Sequence, residues 1–282
     1  MPELPEVDHL VRVLGRVWVG RYVRSIEIRS PKVLVGTTPR RFARIVLRRE
    51  VRSVTRRGKF IIVFLAGGWA VLMHLRMTGY LLYAGPNVEF EAFTRMVLRL
   101  NDGNQLALQD RRHLGRIRLV AERELWKQRE LRRLGDEPLN GQFTVDRLAQ
   151  LMSRGRRSVK EFLLDQTRIV GLGNIYASEA LFRARINPRV QCLQLARSRA
   201  QVSRLHRAIR TTMRAALAAQ GTTPTHMDFI DIDPFGGETR RPLRERFLVY
   251  DREGRPCRRC RSGIVRIRQG SRSTYLCRVC QR

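Results

Sequence analysis

The chain has 282 residues, and its 43% hydrophobic content suffices for one large or two medium-sized globular domains. Lys and Arg number 56 against 25 Asp and Glu, giving a formal net charge of +31. Such a charge favours a polyanionic partner, nucleic acid before an anionic membrane. An apolar run of about 18 residues and an apolar leader are both missing from the sequence, which argues against membrane insertion and secretion. We expect a cytoplasmic protein.

The first part of the chain predicts a helix followed by antiparallel strands. Apolar residues recur every three or four positions from Leu4 to Leu14, which is the stripe of an amphipathic helix. The runs KFIIVFL and WAVLMHL flank two glycines, and MVLRL and QLALQ flank NDGN, so each pair predicts a hairpin. YVRSIEI and RIRLV are further strand candidates. We therefore predict a β-sandwich or barrel domain over residues 1–121.

Helical spacing replaces the strand pattern after this point. Four helices are predicted, at 145–152, 158–165, 174–184 and 196–219. Residues 221–243 are rich in Gly, Pro, Thr and Asp and predict a long functional loop. The predicted fold class is α+β multidomain. Its expected domains are 1–121, a helical domain over 122–243 and a cysteine module over 244–282.

The cysteine module has the spacing of a structural zinc site. Four of the five cysteines form the pattern C-x2-C-x16-C-x2-C, made by Cys257, Cys260, Cys277 and Cys280. Four thiolates complete a closed tetrahedral Zn²⁺ site, whereas a disulfide pair fits a reducing compartment poorly. The intervening sequence predicts two strands with a tip at 269–272, which suits a DNA groove or, alternatively, is a solvated basic hairpin. The fifth cysteine, Cys192, is interpreted as a buried structural thiol.

The chain begins MPELPEVDHL, and its second residue has reactive potential. If Met1 is removed, Pro2 becomes a free secondary amine that can attack a sugar C1′ and form a permanently charged iminium. Glu3 could act as a general acid at the sugar ring oxygen. The alternative is that Glu3 only complements the positive end of a helix.

Several motifs occur together and in one order. They are PELPEV, RRGKF, HLRMTG, DRRHLG, GLGNIYASE and the cysteine module. Together they closely resemble the formamidopyrimidine-DNA glycosylase family, over nearly the whole chain. The resemblance implies an N-terminal helix and β-sandwich, a helix–two-turn–helix domain and a zinc hairpin. It also implies damaged double-stranded DNA as partner, with the damaged nucleotide flipped out of the helix.

The resemblance also implies roles for individual residues. Pro2 would be the Schiff-base nucleophile and Glu3 the proton donor. Lys59 is one of only four lysines and corresponds to the loop lysine used in β-elimination and phosphate contact. Arg272 corresponds to the hairpin arginine associated with δ-elimination. His74 is interpreted as a buttress of its loop.

Further residues are expected to contact DNA. Met77, Arg112 and Leu114 match the positions that fill the hole left by the flipped base. The expected backbone contacts are Arg95, Arg154, Arg156, Arg157, Lys160 and Asn174, and the GLGN glycines are expected to let the backbone approach a phosphate.

Some positions depart from the family pattern. Leu114 stands where phenylalanine is usual, His113 where arginine is usual, and Arg76 where glycine is usual. The loop 221–243 reads FGGETRRPL instead of its usual ending, and Arg95 lies near a missing family histidine. The residues of this chain therefore constrain the identity of the excised base less than they constrain the chemistry at the DNA backbone.

We expect a bifunctional DNA glycosylase and abasic-site lyase for oxidised purines, acting by β,δ-elimination. The alternatives are the same chemistry on oxidised pyrimidines or abasic sites, and a non-catalytic protein that binds damaged DNA. One structural Zn²⁺, a monomeric state and nucleoid association on DNA complete the expectations.

Overall fold

The computed structural model describes residues 2–153, 155–219, 221, 227–230 and 247–282, with 227–230 described by backbone alone. Arg154 and most of the predicted loop 221–243 therefore lie outside the described residues. These residues divide into a first unit (2, 6–132 and 227–230) and a second unit (3–5, 133–153, 155–219, 221 and 247–282). Within the described ranges, no helix is long and apolar enough to cross a bilayer.

The first unit contains two β-sheets, short helices and a long amphipathic helix, of which the first two residues belong to the second unit. Its helices are α1 (Leu4–Val17), α2 (Pro39–Val46) and α3 (Arg129–Arg132), with 3₁₀ turns at Pro31–Val33 and Glu122–Lys127. Its strands are β1 (Val23–Ile28), β2 (Val51–Arg57), β3 (Phe60–Leu65), β4 (Trp69–His74), β5 (Gly79–Ala84), β6 (Thr94–Leu100), β7 (Gln105–Asp110), β8 (Arg116–Ala121) and β9 (Met227–Ile230).

The strands form a five-stranded sheet ordered β1-β6-β7-β5-β9 and a four-stranded sheet ordered β2-β3-β4-β8. All pairings are antiparallel except β5 with β9. Both predicted hairpins are present, as β3–β4 and β6–β7. The sequence-based prediction did not include α2, β2 or β5.

A buried core lies between the two sheets and α1. Leu10 and Leu14 of α1 belong to the same buried cluster as Ile61 of β3 and Leu98 of β6. Each such side chain contributes roughly 1.5–3 kcal/mol when fully removed from water. This core therefore explains the apolar stripe of α1 from Val7 onward, whereas Leu4 lies against Gly171.

The second unit is helical and ends in a hairpin. Its elements are α4 (Val145–Met152), α5 (Val159–Leu164), α6 (Asn174–Ala184), α7 (Cys192–Ala196), α8 (Arg199–Ala218), β10 (Val265–Gln269) and β11 (Arg272–Leu276). The four predicted helices correspond to α4, α5, α6 and α8. Cys192 is fully buried, and burial raises the pKa of its thiol to about 12, as expected for a structural cysteine.

Helix boundaries in the second unit follow local chemistry. Ser158 caps α5 by accepting from the Glu161 N–H, and the Glu161 side chain accepts from the Ser158 N–H in return. The hydroxyls of Thr144 and Ser198 cap α4 and α8 in the same position. Gln269 and Arg272 face each other across the β10–β11 turn, where the sequence predicted the hairpin tip.

Candidate active site

The Glu3 side chain is held at the N-terminus of α6. It is only 3% exposed, and its oxygens accept from the N–H groups of Gly173 (2.5 Å), Ile175 (2.9 Å) and Tyr176 (3.4 Å). Amides in the first turn of a helix have no partner within the helix and carry the positive end of its dipole. These amides therefore hold the Glu3 carboxylate in place. Pro2, the preceding residue in the chain, is buried as well.

The glycines of GLGN make room for the N-terminal segment. A Cβ atom on Gly173 would lie 2.4 Å from Glu3 Cδ, and one on Gly171 would lie 2.5 Å from Leu4 Cδ1. Gly171 also has a φ of +89° and accepts from the Leu4 N–H at 3.0 Å. The glycines were expected to admit a phosphate, whereas in the structure the space above them is filled by residues 3 and 4.

Lys160 does not face solvent, which corrects the expectation that it lines a DNA surface. It is 0% exposed, and its Nζ donates to Ser178 Oγ at 2.8 Å and Thr274 Oγ1 at 3.2 Å. Burial lowers its pKa to about 7; the Glu3 charge opposes this shift and Arg272 adds to it. Charge runs in a sequence do not show that one member points inward, so the pattern gave no signal for this burial.

Asn174 connects α6 to the hairpin. Its Nδ2 donates to the Ser273 carbonyl at 2.9 Å, so this amide already has a protein acceptor in addition to any phosphate. Gly173 is the N-cap of α6. Arg272 is exposed at the hairpin tip.

Arg156 and Arg157 are exposed, as a DNA-contact role requires. Arg157 forms an ion pair with Asp165 at 3.1 Å. Arg157 and Arg272 line the same open cavity of about 590 Å³. The structure thus places Arg157 and Arg272, two cations predicted to contact DNA, on one surface of the second unit.

In the first unit, Lys59 occupies the β2–β3 turn and is only 5% exposed. Nearby His74 is buried, and desolvation together with the charges of Arg76 and Lys59 lowers its pKa to about 3, so the ring is neutral. Its Nδ1 accepts from the Arg76 N–H at 2.9 Å, and its ring packs edge-on against Phe60. His74 thus supports the following loop.

Residues 75–78 and 111–115 form two adjacent loops, here called the wedge loops. Met77 is 52% exposed, and Arg112 Nη1 donates to its sulfur at 3.5 Å. Leu114 is half-buried in the second wedge loop. The structure thus brings together the three residues expected to fill a flipped-base hole.

The positions that depart from the family pattern have distinct environments. Arg76 and His113 both have positive φ values, of 59° and 53°. His113 Nδ1 is 3.4 Å from Ser30 Oγ. Arg95 Nε donates to the Asp110 carbonyl at 2.8 Å, so this predicted DNA contact also supports a wedge loop.

Two groups with structural importance were missed at the sequence level. Ser178 and Thr274, which hold Lys160, lie within GLGNIYASE and the cysteine module, yet neither side chain was singled out. Asp110 opens the DRRHLG motif, yet its side chain was not singled out. It is only 1% exposed and accepts from both wedge loops.

The four cysteines of the terminal module fit a zinc ion. Their sulfurs all lie within 4.8 Å of one another, with Cys257–Cys280 at 3.9 Å and Cys260–Cys277 at 3.4 Å. Tetrahedral Zn–S bonds of about 2.3 Å place sulfurs about 3.8 Å apart. One structural Zn²⁺ held by four thiolates would stabilise the hairpin that carries Arg272.

Three family profiles match successive parts of the chain. The formamidopyrimidine-DNA glycosylase N-terminal domain matches residues 1–117, and the H2TH domain of the same family matches residues 134–228. A zinc finger found in FPG and IleRS matches residues 254–282.

Full-length relatives share this organisation. A formamidopyrimidine-DNA glycosylase of Roseiflexus sp. is 40% identical over 284 residues, covering 100% of both chains. One from Pelotomaculum thermopropionicum is 38% identical over 282 residues, covering 100% of this chain and 99% of the relative.

Solved structures agree. Lactococcus lactis Fpg (MutM) in complex with N7-benzyl-Fapy-dG DNA matches with a TM-score of 0.89 and 28% identity over 99% of both chains. Its complex with abasic-site DNA gives a TM-score of 0.89 and 26% identity, again over 99% of both chains. With the Glu3 contacts, the wedge loops and the thiolate cluster, these matches show that the chain belongs to the formamidopyrimidine-DNA glycosylase family of base-excision repair enzymes.

Proposed function

We propose that this enzyme excises oxidised purines, 8-oxoguanine and formamidopyrimidines, from double-stranded DNA and then cuts the strand by β,δ-elimination. The names of its relatives and the Lactococcus lactis Fpg complex with Fapy-dG DNA support this substrate class. Complexes of the same protein with abasic-site DNA support a lyase step.

Pro2 is the proposed nucleophile. Its amine attacks C1′, the glycosidic bond breaks, and the base leaves with the bonding electrons and is protonated. Glu3 takes the proton that the attacking amine loses and delivers it to O4′ as the sugar ring opens, which leaves an iminium at C1′. Loss of the C2′ proton then expels the 3′-phosphate, and a second elimination expels the 5′-phosphate.

Glu3 is the proposed proton donor to the ring oxygen, and its position carries the proposal. A buried carboxylate with three backbone N–H donors is fixed in one orientation immediately beside Pro2 in the chain. A catalytic acid must be held within hydrogen-bond reach of its acceptor, and this arrangement supplies the rigidity.

Three cations have proposed supporting roles. Lys59 contacts the phosphate and assists β-elimination, and Arg272 binds the phosphate beside the lesion and assists δ-elimination. Arg157, which shares a cavity with Arg272, contributes a further backbone contact. Such contacts release counterions, so binding weakens steeply as salt increases.

The proposed DNA contacts continue on the first unit. Met77, Arg112 and Leu114 fill the space left by the extruded nucleotide, with an apolar side chain in the stack and a cation facing the orphaned base. Arg95, Arg156 and Asn174 contribute to backbone binding. We also propose that the protein is a monomer with three domains, at 1–121, 122–243 and 244–282. We propose that it acts in the cytoplasm, on nucleoid DNA.

Borohydride trapping tests the mechanism. The protein with a processed N-terminus should form a covalent adduct with an 8-oxoguanine:C duplex, because borohydride reduces the iminium to a stable amine. A matched variant with one alanine inserted before Pro2 converts the nucleophile to an amide and should form no adduct. Absence of an adduct with wild type across 8-oxoguanine, formamidopyrimidine, thymine-glycol and abasic duplexes would support a non-catalytic damage-binding protein instead.

The same panel tests the lesion class. The Lactococcus lactis protein has also been solved with DNA containing an oxidised pyrimidine, which keeps that substrate as the second candidate. Faster cleavage of 8-oxoguanine:C than of thymine-glycol:A supports oxidised purines, and the reverse order replaces them with oxidised pyrimidines.

A further inference from the structure

We propose that Asp110 is a positioning residue that locks the two wedge loops together, so that Met77 and Arg112 enter the DNA stack as one rigid unit. The proposal rests on the function above, in which these side chains replace the extruded nucleotide. It assigns a role to a side chain that touches neither the lesion nor the reacting atoms.

The first observation is the set of donors around the Asp110 carboxylate. Oδ1 accepts from the Thr78 hydroxyl and from the Arg112 N–H at 3.1 Å, while Oδ2 accepts from the Gly115 N–H at 2.6 Å. Thr78 belongs to the first wedge loop, and the two amides belong to the second. One buried side chain therefore connects both loops.

The Asp110 side chain is a charged carboxylate, which suits it to accept hydrogen bonds from both loops. Burial disfavours the charged form of Asp110, yet hydrogen bonds from Thr78 and from three loop amides outweigh it and hold its pKa below the ordinary value. Hydrogen bonds to a charged acceptor contribute about 1.5–3 kcal/mol each, more than neutral ones. Asp110 consequently stays an acceptor on both oxygens at neutral pH.

The surroundings leave the carboxylate little freedom. Asp110 ends β7 opposite Gly79 of β5, so the sheet itself fixes its backbone. Its own carbonyl accepts from Arg95 Nε, and a Cβ on Gly115 would lie 3.2 Å from Oδ2. The site is thus closed around the carboxylate.

The wedge side chains need such an anchor because they have little packing of their own. Met77 and Arg112 are exposed, and their sulfur–guanidinium contact is weak. Ordering a long side chain costs up to about 2 kcal/mol of conformational entropy, and ordering a loop costs more. Organising the loops in the free protein lowers the cost of inserting them into DNA.

Asp110→Asn is the diagnostic variant. The amide has nearly the same shape but only one oxygen, so in either orientation an N–H donor of the second wedge loop loses its acceptor. We expect excision from an 8-oxoguanine:C duplex to fall about 10²-fold, the scale of a misplaced group remote from the chemistry. Discrimination between cytosine and adenine opposite the lesion should decrease as well.

Single-stranded abasic DNA supplies the internal comparison. Its sugar is already accessible and no stack has to be filled, so the lyase rate of Asp110→Asn should stay within about twofold of wild type. A general loss of folding would lower both activities together. Asp102→Asn is the matched control, since Asp102 is also a paired carboxylate of the first unit, bonded to Arg21 outside the wedge loops.

Thr78→Val provides a second variant if Asp110→Asn fails to fold. It removes the hydroxyl that joins the first wedge loop to Asp110 and that also accepts from the Arg112 N–H at 3.3 Å, but it leaves the amide bonds from the second loop to Asp110. A fall of about tenfold in duplex excision, with single-strand lyase activity retained, supports the proposal.

The outcomes separate this proposal from the one on which it rests. If wild type fails on every lesion duplex and on abasic DNA, the proposed function is wrong and this inference with it. If wild type is active but Asp110→Asn or Thr78→Val excises from duplexes at the wild-type rate, the positioning role alone is overturned. Equal losses on duplex and single-stranded DNA, in a variant whose thermal unfolding midpoint matches that of wild type, also overturn it.

Discussion

Glu3 and Asp110 are both buried carboxylates that accept backbone N–H groups, yet their surroundings differ. Glu3 is bound by the first turn of α6, a regular helix, and lies close enough to Lys160 for the two charges to interact. Asp110 is bound by two irregular loops and a threonine hydroxyl. The helix amides hold the Glu3 carboxylate in place, whereas the Asp110 carboxylate holds the two wedge loops in place.

This difference predicts different kinds of damage. Altering the surroundings of Glu3 should impair chemistry on every substrate, because the proposed proton donor moves. Altering the surroundings of Asp110 should impair only substrates whose base must be flipped out of a duplex. Substitutions at Glu3, Lys160, Gly173 and Arg76 test the two halves of this contrast.

Glu3→Gln should reduce excision of 8-oxoguanine by about 10³-fold, the usual scale for losing a general acid. Glutamine retains the size but has no acidic proton, and single-turnover kinetics would measure the loss. Glu6→Gln is the matched control, because Glu6 is also a buried glutamate but lies within α1, and it should retain most activity. An excision rate within tenfold of wild type would remove Glu3 from the proposed mechanism.

Lys160→Met should give a stability difference that depends on pH. The folded pKa is about 7, below the roughly 10.4 of a free lysine, so between these values the unfolded chain binds a proton that the folded chain lacks. Wild-type stability relative to the variant should therefore rise with pH above about 7, by at most about 1.4 kcal/mol per unit.

Thermal unfolding at pH 6, 7.5 and 9 measures this dependence. Lys127→Met is the control, because Lys127 is exposed and only pairs with Glu124. Its stability difference should be nearly constant over the same range. A constant difference for Lys160→Met as well would show that the buried amine keeps an ordinary pKa.

Gly173→Ala should destabilise the second unit by about 2 kcal/mol and reduce activity on all substrates, because the added methyl group overlaps Glu3. Chemical denaturation and excision assays would detect both effects. Gly141→Ala is the control, since no atom lies within 4 Å of its added Cβ. A neutral Gly173→Ala would mean that Glu3 can move without consequence.

Arg76→Gly should have the smallest effect, a gain of at most about 1 kcal/mol in stability, because Arg76 has a φ of +59° that glycine adopts without strain. Arg111 lies in the other wedge loop and does not have a positive φ, so glycine relieves no strain there. Arg111→Gly should therefore lose stability, because the contact of the guanidinium with the Phe93 ring is removed. The denaturation midpoints of both variants, compared with that of wild type, measure these changes in stability. Equal losses would show that Arg76 is not strained.

Much of the fold followed from the sequence because it depends on local patterns. The α1 stripe, the two glycine-containing hairpins and the helices α4, α5, α6 and α8 are each marked within a dozen or so residues. The elements α2, β2 and β5 were not predicted. Only Val51 of β2 is buried, so this strand depends on its hydrogen bonding to β3, which is a tertiary effect.

The cysteine spacing was readable as a metal site from the sequence alone, because short-range spacing determines which thiolates share one centre, whereas the chemistry assigned to PELPEV stays a prediction. Tertiary structure decided what these groups face. It buried Lys160 instead of exposing it, filled the space above the GLGN glycines with Glu3 and Leu4, and joined Thr78 to Asp110 across 32 residues of chain. Burial and long-range hydrogen bonds depend on which segments pack together, and no local pattern encodes that.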